Sequence, residues 1–121
     1  MERDRVLANL HNQKVMVAER VPTVPERSAW VGIYPLNVAR ETTRELLARG
    51  GIPDPNNDVN YYHVRVFELD RSLHDKWFCE PDLKNKADTV VAGDDALVAK
   101  LEELGVPLAS LERPWKTDYP L

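Results

Sequence analysis

Apolar and polar positions alternate most regularly through Val59-Asn60-Tyr61-Tyr62-His63-Val64-Arg65-Val66-Phe67-Glu68-Leu69, a run rich in β-branched and aromatic residues and free of Gly and Pro. Asp, Asn and Pro residues precede it and Asp70-Arg71-Ser72 follows, so it predicts a long strand. Side chains alternate across a strand, which puts Tyr62, Val64 and Val66 on one apolar face. Tyr61, His63, Arg65, Phe67 and Leu69 take the other, a mixture of rings, a cation and an imidazole. The remaining elements read as partners of this strand or covers for its apolar face.

Taken in order, residues 1–12 predict a short helix with Val6, Leu7 and Leu10 on one side. Residues 14–18 predict a strand, ended by a loop holding Pro22 and Pro25. Residues 28–34 predict a second strand stopped by Pro35, with Trp30, Gly32 and Tyr34 on one face and Ala29, Val31 and Ile33 on the other. Residues 37–49 predict a helix capped by Asn37, with Val38, Ala39, Thr42, Leu46 and Leu47 as its apolar stripe and Gly50-Gly51 as its stop. Its outer face carries Arg40, Arg44 and Arg49.

Downstream of the long strand, residues 70–82 predict a loop leading to a short strand at 76–79, with a helical turn from Asp70 or Ser72 as the alternative. Residues 87–92 predict a further strand. Residues 94–104 predict a second main helix, capped by Asp94, with Leu97, Leu101 and Leu104 buried and Gly105 at the position after its end. One more helical turn fits residues 108–112. The tail, residues 113–121, is extended by its prolines yet carries Trp115 and Tyr119, so it is expected to lie along the domain or along a partner. The fold class is α+β: one small domain over residues 1–121, with a mixed or antiparallel sheet and two main helices packed on it.

Composition narrows the setting. The chain of 121 residues is 43% hydrophobic and 30% charged, as expected of a globular protein with a real core. No apolar run approaches the ~20 residues that span a bilayer, and Met1-Glu2-Arg3-Asp4-Arg5 does not read as a secretory signal. The single Cys79 rules out an internal disulfide and is compatible with a cytoplasmic location. The net charge of −4 is unevenly spread: eight Lys/Arg stand against six Asp/Glu in residues 1–50, and eight against fourteen beyond. An acidic second half repels nucleic-acid backbones and anionic lipids and attracts a basic partner.

Catalytic patterns are thin. Cys79 and His74 are the pair to test as nucleophile and base, but the carboxylates of Glu80 and Asp82 would raise a thiol pKa, and a small buried hydrophobe is the simpler reading of Cys79. No closed metal-ligand spacing and no Gly-rich phosphate fingerprint is present, so no metal and no cofactor is expected. Residues 96–111 have the outline of a helix-turn-helix unit, yet Glu102, Glu103 and Glu112 give it the wrong charge for a DNA groove.

What remains is a surface of acids interleaved with rings, the composition of a protein interface in which rings fill pockets and charges steer encounter. The candidate partner-binding residues are Asp70, Asp75, Trp77, Glu80, Asp82, Asp94, Asp95, Glu102, Glu103, Trp115, Asp118 and Tyr119. A solubilising role for the acids, with the rings in the core, explains the same composition. In size, acidity and lack of catalytic motif the chain resembles the cytoplasmic immunity proteins of bacterial toxin–immunity systems, including contact-dependent inhibition. That resemblance implies a non-enzymatic inhibitor that occludes a basic toxin domain of the nuclease type, and binds neither nucleic acid nor membrane. The alternatives are a small cytoplasmic enzyme using His74 or His63 with Cys79 or a carboxylate, and a nucleic-acid binder using Arg40, Arg44 and Arg49.

Overall fold

The computed structural model describes residues 2–56, 58–73, 82–117, 119 and 120. Helix α1 (Glu2–His11) leads into strands β1 (Met16–Arg20) and β2 (Arg27–Leu36), helix α2 (Glu41–Arg49), strands β3 (Tyr61–Asp70) and β4 (Lys84–Ala92), and helix α3 (Asp94–Glu103). The four strands form one sheet in the order β1-β2-β3-β4, antiparallel throughout. Of the mixed and antiparallel alternatives, the second holds, and the short N-terminal helix joins the two main ones. No helix among the described residues is long and apolar enough to cross a membrane.

The long strand sits at the centre with both faces used. Register places Val66 opposite Val31 and Val64 opposite Ile33, and carries the same row on to Ala18 and Met16. These side chains, with Tyr62, form the main core under Val6 and Leu10 of α1 and Leu97 and Leu101 of α3. The other face was expected to mix rings with charge, and does so only over part of its length. Phe67 and Leu69 are buried there with Trp30 and Leu83 in a second cluster, against which Leu73 and Tyr119 pack.

Several boundaries differ from the sequence reading for local reasons. Pro35 does not stop β2, which continues to Leu36 opposite Tyr61. Beyond Ile33 no β1 residue pairs with β2, so Pro35 lies on an edge, where proline is tolerated. Asn37 does not cap α2. Its Oδ1 accepts from the Ala39 N–H at 3.0 Å and its carbonyl from Arg40 N–H at 3.0 Å, closing a turn that delays the helix to Glu41. Of the expected stripe Leu47 is buried, and Thr43, outside that stripe, is the other buried position of α2. Asp94 is the first helical residue of α3 rather than its cap, a position taken by Gly93 at φ 87°. Strand β4 begins at Lys84, three residues earlier than expected, with a bulge between Lys84 and Ala87 opposite Val66–Glu68 of β3. A 3₁₀ turn at Arg71–Leu73 takes the place of the favoured loop after β3. The strand expected at 76–79 lies outside the described residues.

Helix ends follow the sequence more closely. Gly105 has φ 73°, its N–H bonds Glu102 O at 3.0 Å, and Val106 N–H bonds Leu101 O at 2.9 Å, so α3 closes in a Schellman motif with Val106 folded back onto the core. Gly51 (φ 91°) and Ile52 do the same for α2, bonding Ala48 O at 3.1 Å and Leu47 O at 2.7 Å.

One buried acid pins the far end of the sheet. Glu68, 6% exposed, accepts from the Thr23 N–H (3.0 Å), the Thr23 hydroxyl (2.9 Å) and Asn85 Nδ2 (2.8 Å). The β1–β2 loop is thereby tied to the β4 bulge, where Asn85 has φ 50°. Burial pushes the Glu68 carboxyl up, but the bonds from Asn85 and Thr23, helped by the charge of Arg27, outweigh it and hold the group below its usual 4.5. A depressed folded-state pKa stabilises the fold fully above 4.5, and that contribution is lost as pH falls from there through the folded value. Glu68→Gln is expected to cost about 1–3 kcal/mol at neutral pH, because it sets an amide donor against donors already in place. The variant should also lose part of the acid sensitivity of the wild type below 4.5, measured by urea unfolding across pH.

Candidate functional site

The candidate acids fall in different places. Along α3, Asp95, Val98 and Glu102 follow one another at spacings of three and four and so share a flank. Val98 and Glu102 form one wall of a groove of about 520 Å³, and the turn at residues 105–109 forms the other. The Schellman geometry at Gly105 and Val106, followed by Pro107 and the buried Leu108, fixes that second wall. The groove is thus apolar along its length with a carboxylate on its rim. Glu103 is exposed on the same helix and pairs with Lys100 at 3.5 Å.

Asp94 turns inward. Its Oδ1 accepts from the Tyr62 hydroxyl at 2.6 Å, and its Oδ2 lies 2.8 Å from His11 Nε2, so one carboxylate joins β3, α3 and the end of α1. Burial, then the hydrogen bond to Asp94 and its charge, push the Tyr62 phenol well above its usual range, so it remains a donor. Asp70 lies at the opposite end of β3, roughly 25 Å of strand away, where it pairs with Arg27 at 3.1 Å. Asp82 is half-buried next to Leu83 of the second cluster. Asp75, Trp77, Glu80 and Asp118 lie outside the described residues, as do His74 and Cys79 of the enzymatic alternative. The structure therefore brings Asp95, Glu102 and Glu103 together on α3 and separates Asp70 and Asp94 from them.

The two rings of the tail have different fates. Glu112 pairs with Val17 through reciprocal backbone bonds of 2.8 Å, so the chain runs along the outer edge of β1. Arg113 then donates to Val15 O at 3.0 Å, and a 3₁₀ turn at Pro114–Lys116 follows. Trp115 is 73% exposed, with Lys116 Nζ 5.2 Å from its ring centre. Tyr119 comes to rest on the second face of the sheet, its ring 5.7 Å from both Trp30 and Phe67 and its hydroxyl bonded to that of Tyr34. Tyr119 is thus part of the packing, while Trp115 presents its ring to solvent. Burial and the bond to Tyr34 push the Tyr119 phenol well above its usual range.

The sequence did not reveal a polar cluster between α2 and the tail. His63 Nε2 lies 2.8 Å from Asp88 Oδ1, and Arg65 Nε stands 3.7 Å from the same oxygen. Arg65 faces Asp88 directly across the β3–β4 ladder, with His63 one diagonal away. Alternation already placed His63 and Arg65 on one face, but Asp88 joins them only through a register that a single sequence does not contain. Leu46, Arg49 and Gly50 of α2 close a cavity of about 200 Å³ over this row. A carboxylate shared between an imidazole and a guanidinium orients both side chains and ties two strands together; His63 is a cross-strand partner here. Among the described residues no group of three or more His, Cys, Asp or Glu could hold a metal ion. The second helix of the helix-turn-helix outline is only a three-residue turn, Leu108–Ser110, with Leu108 buried.

Gly32 is the position on which the tail's docking depends. A Cβ there would run into the Tyr119 hydroxyl and stand 2.9 Å from the Tyr34 ring. Gly32→Ala is expected to destabilise the fold by about 1–3 kcal/mol by displacing Tyr119. The same substitution should cost less in a Tyr119→Ala background, a coupling measurable by a double-mutant cycle in denaturant, with Trp30 fluorescence reporting the ring's departure.

Comparison of the chain with protein-family models, with curated proteins and with solved structures finds no match in any of the three.

Proposed function

We propose that this chain is a cytoplasmic binding protein of the toxin-neutralising kind, which receives a basic partner domain on the α3 flank. The observation that carries the reading is the groove beside α3: an apolar channel of about 520 Å³ with Glu102 in its wall, continued by Asp95 two turns toward the helix start. An apolar anchor seated in the channel, flanked by Lys or Arg side chains, meets both requirements of that surface at once. Charges at the rim govern encounter rate and specificity, and the buried anchor governs lifetime. A nuclease toxin suits the role because its cleft is lined with cations for phosphate and so is drawn to carboxylates. The exposed Trp115 offers a separate ring for partner contact.

The test is co-expression with the basic toxin domain encoded next to this chain in its host, read as growth protection and as binding by calorimetry. The wild type is expected to protect and bind. Asp95→Lys with Glu102→Lys is expected to weaken binding by about a hundredfold or more, mainly through a slower association that is sensitive to salt, while the circular-dichroism spectrum is unchanged because Asp95 and Glu102 are exposed. Full protection and unchanged affinity in the double variant would remove α3 as the docking surface.

A further inference from the structure

Trp115 is the one aromatic side chain among the described residues that the fold leaves exposed. A Trp has roughly 150–250 Å² to bury, and a ring of that size held in water marks a contact surface. Lys116 is exposed beside it, with Nζ 5.2 Å from the ring centre, so an apolar ring and a cation are presented as one unit. That unit is not on a free tail. The Glu112–Val17 backbone bonds and the Arg113 bond to Val15 O fix the chain before it, and Tyr119 is packed against Trp30 and Phe67 after it. A ring displayed by an anchored turn loses little conformational freedom when it docks.

The groove beside α3 is the complement of that unit. It has apolar walls from Val98, Pro107 and Ala109, the exposed carboxylate of Glu102, and a volume of about 520 Å³, which is in the range of pockets that enclose a ring. The ring of the same chain cannot reach it. Arg20 Nη2 donates to Leu104 O at 3.4 Å, which sets the groove's turn by the end of β1, whereas the Arg113 bond to Val15 O sets Trp115 by its start. Five residues of extended chain separate these points, roughly 17 Å, and the Glu112–Val17 bonds between them hold the separation. Ring and groove therefore lie toward opposite ends of one edge of the molecule. Two copies laid antiparallel along that edge bring each ring to the other's groove.

We propose that Trp115 of one copy docks in the α3 groove of a second copy, with Lys116 against the Glu102 carboxylate, and that the exchange is reciprocal in a two-fold dimer. Reciprocity closes the assembly, since the same surface serves both copies and both grooves are filled. Trp is a favoured anchor for a pocket of this kind, and the cation beside it matches the acid on the rim. The contact is smaller than a standard interface of roughly 1,600 Å², so the dimer forms at high concentration and exchanges readily. For the α3 flank as a partner-binding surface the dimer has a regulatory consequence, which rests on the function proposed above. The basic partner has to displace the ring, so the groove is covered until that partner arrives.

The experiment is sedimentation velocity of the full chain alone at rising concentration. The wild type is expected to pass from monomer to dimer, and Trp115→Ala to remain monomeric over the same range. The ring is 73% exposed, so its removal leaves the fold intact. Ala109→Arg, which fills the groove from an exposed position, is expected to remain monomeric as well. Glu102→Lys is expected to weaken the dimer about tenfold, because two rim pairs are lost, and the addition of Lys116→Glu to restore it. A wild type that stays monomeric, a dimer that persists in Trp115→Ala or Ala109→Arg, or a charge swap that restores nothing overturns the inference. Should Ala109→Arg fail to fold, the charge swap between exposed residues still decides the matter. No partner protein is present, so each of these failures leaves the proposed function standing, and failure of the toxin-binding test leaves the dimer standing.

Discussion

Burial of both faces of β3 is the constraint from which the rest of the structure follows. Its alternating side chains put Tyr62, Val64 and Val66 into the main core, and Phe67 and Leu69 into a second one across the sheet. Helices α1 and α3 cover the first face. An antiparallel sheet can leave its other face to water, but one carrying Trp30, Phe67 and Leu69 there cannot. The chain provides two partial covers: α2 over the β4 side, with Gly50 against Val90, and the tail over Gly32.

The tail's route answers a second demand of the same sheet. An edge strand exposes unpaired backbone groups that invite other chains. By pairing Glu112 with Val17, the segment after α3 covers the middle of β1 before crossing to the other face. Tyr119 then lands in a slot that exists because Gly32 carries no side chain. Edge protection and closure of the second core are thus performed by one short extended segment. Its prolines suit it to that path, since Pro114 opens the 3₁₀ turn at which it bends.

Strand alternation, a period of two, was fully legible: the faces of β2 and β3 agree with the structure residue by residue. So were the glycine stops of α2 and α3, because a Schellman motif needs little beyond Gly followed by an apolar residue. Helix starts were less legible. Asn37 and Asp94 are both good caps by residue type, but one spends its oxygen on a preceding turn and the other on Tyr62 and His11. A side chain with two possible uses does not announce which one tertiary structure will choose. The His63–Asp88–Arg65 row was hidden for a related reason, since cross-strand register is a property of pairs of segments. The acids of α3 were visible as residues; that Glu102 borders an apolar channel followed only from the turn packed beside the helix.

The uneven charge along the sequence becomes a separation in space. The basic surplus of the first fifty residues includes Arg40, Arg44 and Arg49 at and along α2, while Asp94, Asp95, Glu102 and Glu103 of the acidic second part lie on α3. The two helices reach the sheet from opposite faces, with Leu97 and Leu101 under the first core and Gly50 and Leu46 over the row of His63 and Val90. Helix layers on either side of a sheet stand about 20 Å apart, more than twice the roughly 8 Å over which physiological salt screens exposed charge. Each field therefore acts on its own neighbourhood. Charges on the α3 face and on the α2 face neither compete nor neutralise one another. A chain with a net charge of only −4 can in this way present two surfaces of opposite preference, provided the sheet between them keeps both faces filled.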